Sequence, residues 1–84
     1  MSEQNYPNPF NPSTTIRFSL PQAGNVKLTV YNLLGEQVIQ LVNDFREAGM
    51  HTINFNASEL NSGIYIYKIE AAGLVQTKKM TLLK

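Results

Sequence analysis

The stretch that decides the fold reads NYPNPFNPSTTIRFSL and covers residues 5–20. Its first part is punctuated by proline, and its second part alternates apolar and polar residues. All four prolines of the chain lie at or before Pro21. Each proline fixes its own φ and moves the preceding residue away from the helical region, so we expect an extended leader rather than a helix. Tyr6 and Phe10 are its large apolar side chains, and we expect both to dock the leader onto the core.

The alternation at the end of this stretch is the signature of a half-buried β-strand. Ile16, Phe18 and Leu20 are separated by Arg17 and Ser19, so one face is apolar and the other polar. Segments of the same character follow at residues 26–30, 51–55, 64–71 and 74–83. Residues 37–42 are less regular and fit either a strand covered on both faces or one and a half turns of helix. A flanking glycine and β-branched residues favour the strand.

Glycines separate these segments at intervals of 10 to 14 residues, which is the spacing of short strands joined by turns. The pattern therefore predicts an all-β protein, an immunoglobulin-like antiparallel β-sandwich of about seven strands, without the cysteine and tryptophan of antibody domains. Leu60 is expected to be tucked inward by a turn. Gly63 stands between a polar connection and a β-branched run, and we expect it to take a positive φ. The predicted core faces comprise Ile16, Phe18, Leu20, Val26, Leu28, Val30, Ile53, Phe55, Tyr65, Tyr67 and Ile69, joined by Met80 and Leu82 in the last strand.

Composition limits the classes of protein that the chain can represent. Its 84 residues support one domain, which we place at residues 5–84, with residues 1–4 as a linker or expression-derived remnant. The net charge is +1 with dispersed basic residues, which does not imply nucleic acid. The absence of cysteine removes disulfides and thiolate catalysis. No apolar run approaches the roughly 18 residues of a membrane-spanning helix, so membrane insertion is not expected.

No group of residues in the sequence predicts a catalytic site or a metal site. His51 is the only histidine, and no carboxylate lies near it on the same strand face, so we interpret it as a half-buried strand residue. The six carboxylates are scattered singly. We therefore expect no enzyme activity, no cofactor and no metal site. Tyr65 and Tyr67 share a strand face, and with Tyr6 they offer a sugar-stacking platform, although alternate tyrosines in a strong strand more often belong to the core.

Five ordered blocks of this sequence closely resemble the C-terminal sorting domains carried by cargo of the type IX secretion system, the Por secretion type A family. The blocks are the proline-rich leader up to Pro21 and residues 26–38, 48–52, 61–67 and 76–84. The middle blocks are also similar to the immunoglobulin-like module of flagellar hook-capping proteins, so the leader and the lysine-rich end carry the sorting identity.

The resemblance implies a secretion address in a Gram-negative cell. A covalently linked upstream cargo would pass through the periplasm, be recognised by the type IX outer-membrane translocon and reach the cell surface or the medium. A sortase-like peptidase would commonly cut upstream of the domain. Carried over by position, the residues for translocon recognition are Gly63, Tyr65, Lys78, Lys79 and Lys84. The alternative is a structural or adhesive immunoglobulin-like module, with or without carbohydrate binding, at the end of a surface protein.

The last strand is expected at a sheet edge, with Met80 and Leu82 toward the core and Lys78, Lys79 and Lys84 in solvent. Recognition by strand addition and recognition by charge are both compatible with this arrangement.

Overall fold

The computed structural model describes residues 2–84 and contains six strands. The strands are β1 (Ser13–Leu20), β2 (Gly24–Asn32), β3 (Gln37–Arg46), β4 (Gly49–Asn56), β5 (Gly63–Ala71) and β6 (Leu74–Leu82). All six segments with a strand pattern are therefore strands, the ambiguous one included. The count is six rather than about seven, because the leader contributes isolated bridges instead of a further strand. Among residues 2–84, no helix has the length and apolar character needed to cross a membrane.

The strands form two antiparallel sheets that pack as an immunoglobulin-like sandwich, as predicted. β1 pairs with β4 in the smaller sheet, and the larger sheet has the order β3-β2-β5-β6. Hairpins join β2 to β3 and β5 to β6, whereas the connections from β1 to β2, from β3 to β4 and from β4 to β5 cross between the sheets. β6 consequently lies at one edge of the larger sheet and β3 at the other.

The irregular pattern of β3 has a structural cause. Its pairing with β2 shifts register twice, so that Leu41 and Val38 have no directly paired residue on β2. Each shift is a bulge that changes the side-chain alternation. Val42 is consequently buried while Val38 and Leu41 pack partly against the core. A strict two-residue period could not fit these three residues at once.

The core lies between the two sheets. The predicted core residues are buried, except that Ile53 is only partly buried. Val42, Ala57 and Ala71 are buried too and were not predicted. Leu60 is partly buried after a turn closed by its N–H donating to the Ala57 carbonyl at 3.0 Å.

The leader crosses from one sheet to the other, and its two aromatic residues behave differently. The phenyl ring of Phe10 is buried, 2% exposed, and lies 6.1 Å from the ring of Phe55. The expectation that Tyr6 docks by its side chain is wrong, because Tyr6 is 80% exposed. Its backbone instead exchanges two hydrogen bonds with Thr15, at 3.0 and 2.9 Å, and this pairing directs the ring outward.

Residues 2–4 also contact the domain. The Glu3 N–H donates to the Arg17 carbonyl at 3.0 Å, and Ser2 forms an antiparallel bridge with Phe18. These residues therefore extend the pairing of the leader along β1. Met1 lies outside the described residues, and the assignment of residues 1–4 to a remnant stays a prediction.

Candidate functional site

β6 carries most of the basic-apolar terminus, and its two faces differ. Met80 and Leu82 point between the sheets and are fully buried, as predicted. Lys79 points to the outer face, where it lies opposite Ile66 of β5 and is exposed. Lys78 shares the inner face with Met80 and is only partly exposed, which corrects the expectation that it is fully in solvent.

The free edge of β6 is covered at its C-terminal end by the leader. The Phe10 N–H donates to the Thr81 carbonyl at 2.9 Å, and the Leu83 N–H donates to the Phe10 carbonyl at 2.9 Å. The Asn8 side-chain oxygen accepts from the Thr81 N–H at 2.9 Å. This part of the edge is therefore paired with the leader as it would be with a neighbouring strand.

Further toward the start of β6, every hydrogen bond between the leader and the strand involves a side chain. The Gln4 amide donates to the Lys79 carbonyl at 2.8 Å. The Ser2 N–H and hydroxyl both donate to the Gln76 side-chain oxygen at 2.7 Å. The backbone of this part of the leader pairs with β1 instead, so the leader belongs to the smaller sheet here and to the larger sheet at Phe10.

A buried polar cluster fixes the bend of the leader. Asn5 and Thr14 are each 2% exposed. The Asn5 amide donates to the Thr14 hydroxyl at 2.9 Å and to the Pro7 carbonyl at 3.1 Å, and the Thr14 hydroxyl donates to that carbonyl at 2.8 Å. Buried polar groups are costly unless they are paired, so this closed cluster favours one path of the chain. The burial of Asn5 and Thr14 was not predicted from the sequence.

Tyr67 ties the leader to the centre of the larger sheet. Its ring is fully buried, and its hydroxyl donates to the Glu3 carbonyl at 2.9 Å. Burial raises the pKa of the Tyr67 phenol above its ordinary value, and hydrogen bonds to the Asn5 backbone and the Ser2 side chain oppose that rise only in part. The phenol is therefore a neutral hydrogen-bond donor across the physiological range.

Gly63 and Tyr65 occupy the start of β5, next to the end of β6. Gly63 has φ +155° and pairs with Leu82, while Tyr65 pairs with Met80. Tyr65 is 8% exposed, and its hydroxyl donates to the Asn61 carbonyl at 2.6 Å. A tyrosine that bonds the backbone a few residues upstream fastens a corner of a β-sandwich. Both residues thus shape the fold beside β6.

Lys84 closes the terminus onto the loop between β4 and β5. Its ammonium group donates to the Ser58 carbonyl at 2.5 Å, and its N–H donates to the Ser62 hydroxyl at 3.0 Å. Lys78, Lys79 and Lys84 therefore do not converge. They lie on the inner face, on the outer face and at the end of the sandwich, respectively.

A comparison with protein families finds a model that matches residues 4–83, described as a secretion system C-terminal sorting domain. The chain belongs to this family. It is a sorting domain of the type IX secretion system, and its destination is the cell surface or the extracellular space. The family is not known as catalytic. A comparison with curated proteins finds no relative that matches the chain.

The tyrosines of the sorting domain do not form the sugar platform considered as an alternative. Tyr65 and Tyr67 are buried, so neither ring can stack on a ligand. Tyr31 is partly exposed, and its ring lies 5.4 Å from the Lys68 ammonium group. Tyr6 is thus the one strongly exposed tyrosine among residues 2–84.

His51 is a half-buried strand residue in the sorting domain, as predicted. Its ring stacks on Phe18 with centroids 5.3 Å apart, and Nε2 lies 2.7 Å from the Glu47 carbonyl oxygen. Within the described part of the chain, no three histidine, cysteine or acidic side chains come together as metal ligands would. These contacts assign His51 a packing role.

Proposed function

We propose that this sorting domain directs a covalently linked upstream cargo through the type IX outer-membrane translocon, and that the translocon reads the folded domain at β6 and its flanking lysines. Lys79 and Lys84 are the side chains that present charge there, while Gly63 and Tyr65 hold the adjoining corner in shape. The cargo crosses the periplasm on its way to the surface.

The observation that carries this proposal is the contact between the leader and β6. The leader is the end of the domain that faces an upstream cargo, and Phe10 pairs with Thr81 and Leu83 at the opposite end of the chain. A partner bound at β6 is therefore held beside the junction with the cargo. This arrangement favours cutting at the junction by a sortase-like peptidase, upstream of the residues that the translocon engages.

Export of reporter fusions tests the proposal. Removing residues 80–84 is a poor test, because it takes away the buried Met80 and Leu82 and with them the fold. The variant that combines Lys79→Glu with Lys84→Glu changes charge on exposed side chains, which contribute little to stability. We expect it to lose most export from a type IX host while its thermal unfolding changes little.

The matched control combines Arg17→Glu with Lys27→Glu. It makes the same change in net charge at exposed positions on β1 and β2, and the exposed ion pair between Arg17 and Glu3 that it removes contributes little to stability. We expect its fusion to be exported normally. Equal export of both double variants and the parent would overturn recognition at the lysines. A parent fusion that stays inside the host would instead identify a structural or adhesive module.

A further inference from the structure

The edge of β6 is divided into a covered half and an uncovered half. Lys79 O, Thr81 N, Thr81 O and Leu83 N all bond to the leader, which shows that the odd-numbered residues direct their backbone groups to the free edge. By the two-residue repeat of an antiparallel ladder, the N–H and C=O of Thr77 and the N–H of Lys79 point to the same edge. In the described residues 2–84, no leader atom hydrogen-bonds to these three groups.

Within the part of the chain that the structure describes, the backbone of the leader forms no hydrogen bond with the backbone of β6 at this position. Its backbone is engaged with β1 through Glu3 and Tyr6, so it does not compete for the edge of β6. The bond from the Gln4 amide to the Lys79 carbonyl has to be released, and the bonds from Ser2 to the Gln76 side chain lie beside the site. A row of unpaired backbone groups beside a well-packed sheet is a template for an added strand.

The side chains of this half specify what can bind. Val75 is 63% exposed on the outer face, and Lys79 follows it there after Thr77. Lys78, which is partly exposed on the inner face, adds a second positive charge. The antiparallel edge of a second copy would bring two further lysines to the site, and residues 74–82 contain no carboxylate that could pair with Lys79. An extended strand with apolar residues and carboxylates complements both the exposed valine and the charge.

We propose that residues 75–79 form a strand-acceptor site for an extended, acidic and apolar segment of a different protein. The incoming strand pairs with Thr77 and Lys79, and its carboxylates lie on the outer face near Lys79. The inference rests on the proposed function only in naming a translocon strand as the natural occupant. It adds to the proposed function a mode of recognition, in which the translocon adds a strand to β6 and the lysines guide that strand by their charge.

The test uses the whole chain and a synthetic eight-residue peptide of alternating valine and glutamate, compared with one of alternating valine and lysine. Amide exchange is followed by NMR. We expect the glutamate peptide to slow exchange at Thr77 and Lys79 by at least tenfold and the lysine peptide to have little effect. Protection appearing at β3 or β4 instead, or equal protection by both peptides, would overturn the proposal.

Thr77→Pro and Thr77→Ala form the matched pair of variants. Proline removes the edge N–H and is tolerated on the open side of an edge strand, whereas alanine keeps the N–H. We expect at least a tenfold loss of peptide affinity for proline and little change for alanine. Should Thr77→Pro unfold, Lys78→Glu with Lys79→Glu leaves the backbone intact and is expected to reverse the peptide preference. An unchanged preference contradicts the proposal.

The peptide titration and the export assay test the two proposals independently. Export that depends on Lys79 and Lys84 without protection of Thr77 leaves the sorting function standing and ends strand addition. Protection of Thr77 together with normal export of the Lys79→Glu, Lys84→Glu fusion retains the acceptor site and ends its role in sorting.

Discussion

At the residue scale, Gly63 begins β5 with an unusual backbone angle. Its φ of +155° belongs to a region that side chains with a Cβ rarely adopt, as the sequence analysis expected. A Cβ built at this position meets no atom within 4 Å. Any cost of substitution is therefore conformational and does not come from a steric clash.

We expect Gly63→Ala to lower the free energy of unfolding by about 1–3 kcal/mol, because alanine must adopt the strained angle or distort the start of β5. Gly24→Ala is the matched control, since Gly24 also has open space around it but no positive φ. Urea unfolding of both variants measures the difference. Equal stabilities of the two variants would show that the angle does not matter.

Tyr67 predicts a pH dependence at the same scale. Burial raises the pKa of the folded phenol, so the unfolded chain ionises first as the pH rises above about 10. A raised folded pKa contributes stability that is fully present below the unfolded pKa and is lost as the pH approaches the folded pKa. We expect the free energy of unfolding to fall from about pH 10 upward. In Tyr67→Phe this fall is expected to be shallower, and equal slopes in denaturant titrations between pH 9 and 11 would refute the assignment.

At the element scale, the leader is held by one side chain, one polar cluster and a few backbone bonds. Phe10 fills the core beside Phe55, Asn5 and Thr14 fix the bend, and the ring of Tyr6 lies in solvent. The aromatic spacing alone suggests two anchors. Pairing of the Tyr6 backbone with Thr15 decides that there is one.

We expect Phe10→Ala to cost about 3–5 kcal/mol, the usual range for a buried phenylalanine, and to free the leader. Tyr6→Ala is the matched aromatic control and is expected to stay within about 0.5 kcal/mol of the parent. Denaturant unfolding gives the free energies, and exchange of the Leu83 amide reports whether the leader remains on β6. Similar costs for the two variants would contradict this account of docking.

At the scale of the whole molecule, the two ends of the chain close one flank of the sandwich together. The leader joins the free edge of β1 to the end of β6, whereas β3 and β4 border the opposite flank. Because Met80 and Leu82 belong to the core, that core is complete only when the last residues are in place. Contacts of such large sequence separation are formed late and at an entropic cost.

We therefore expect a chain lacking residues 80–84 to show no cooperative thermal unfolding, while a chain lacking only Lys84 melts close to the parent. The first deletion removes two buried side chains and the partners of Phe10, and the second removes only an exposed residue with hydrogen bonds to a loop. Circular dichroism in the far and near ultraviolet distinguishes these outcomes. A cooperative transition in the shorter chain would show that β6 is dispensable for the fold.

The local sequence pattern was sufficient to predict the strands of this protein. Alternation in residues 16–20 or 64–71 determines which side chains share a face, because successive residues of a strand point to opposite sides whatever the strand lies beside. The absence of helix from the proline-rich leader is equally local, because proline fixes its own φ. Glycine permits the unusual angle at Gly63 but does not require it, since Gly24 has no positive φ.

Only the tertiary structure decided which segments lie next to each strand and to the leader. The half-covered edge of β6 and the contact of Lys84 with Ser58 depend on segments far apart in sequence, and the exposed ring of Tyr6 depends on the pairing of its backbone with Thr15. Asn5 and Thr14 look like surface residues in the sequence, and their burial is compensated by the hydrogen bonds that they form with each other and with the Pro7 carbonyl. Polar pairing across such distances leaves no periodic trace in one sequence, whereas burial of a strand face does.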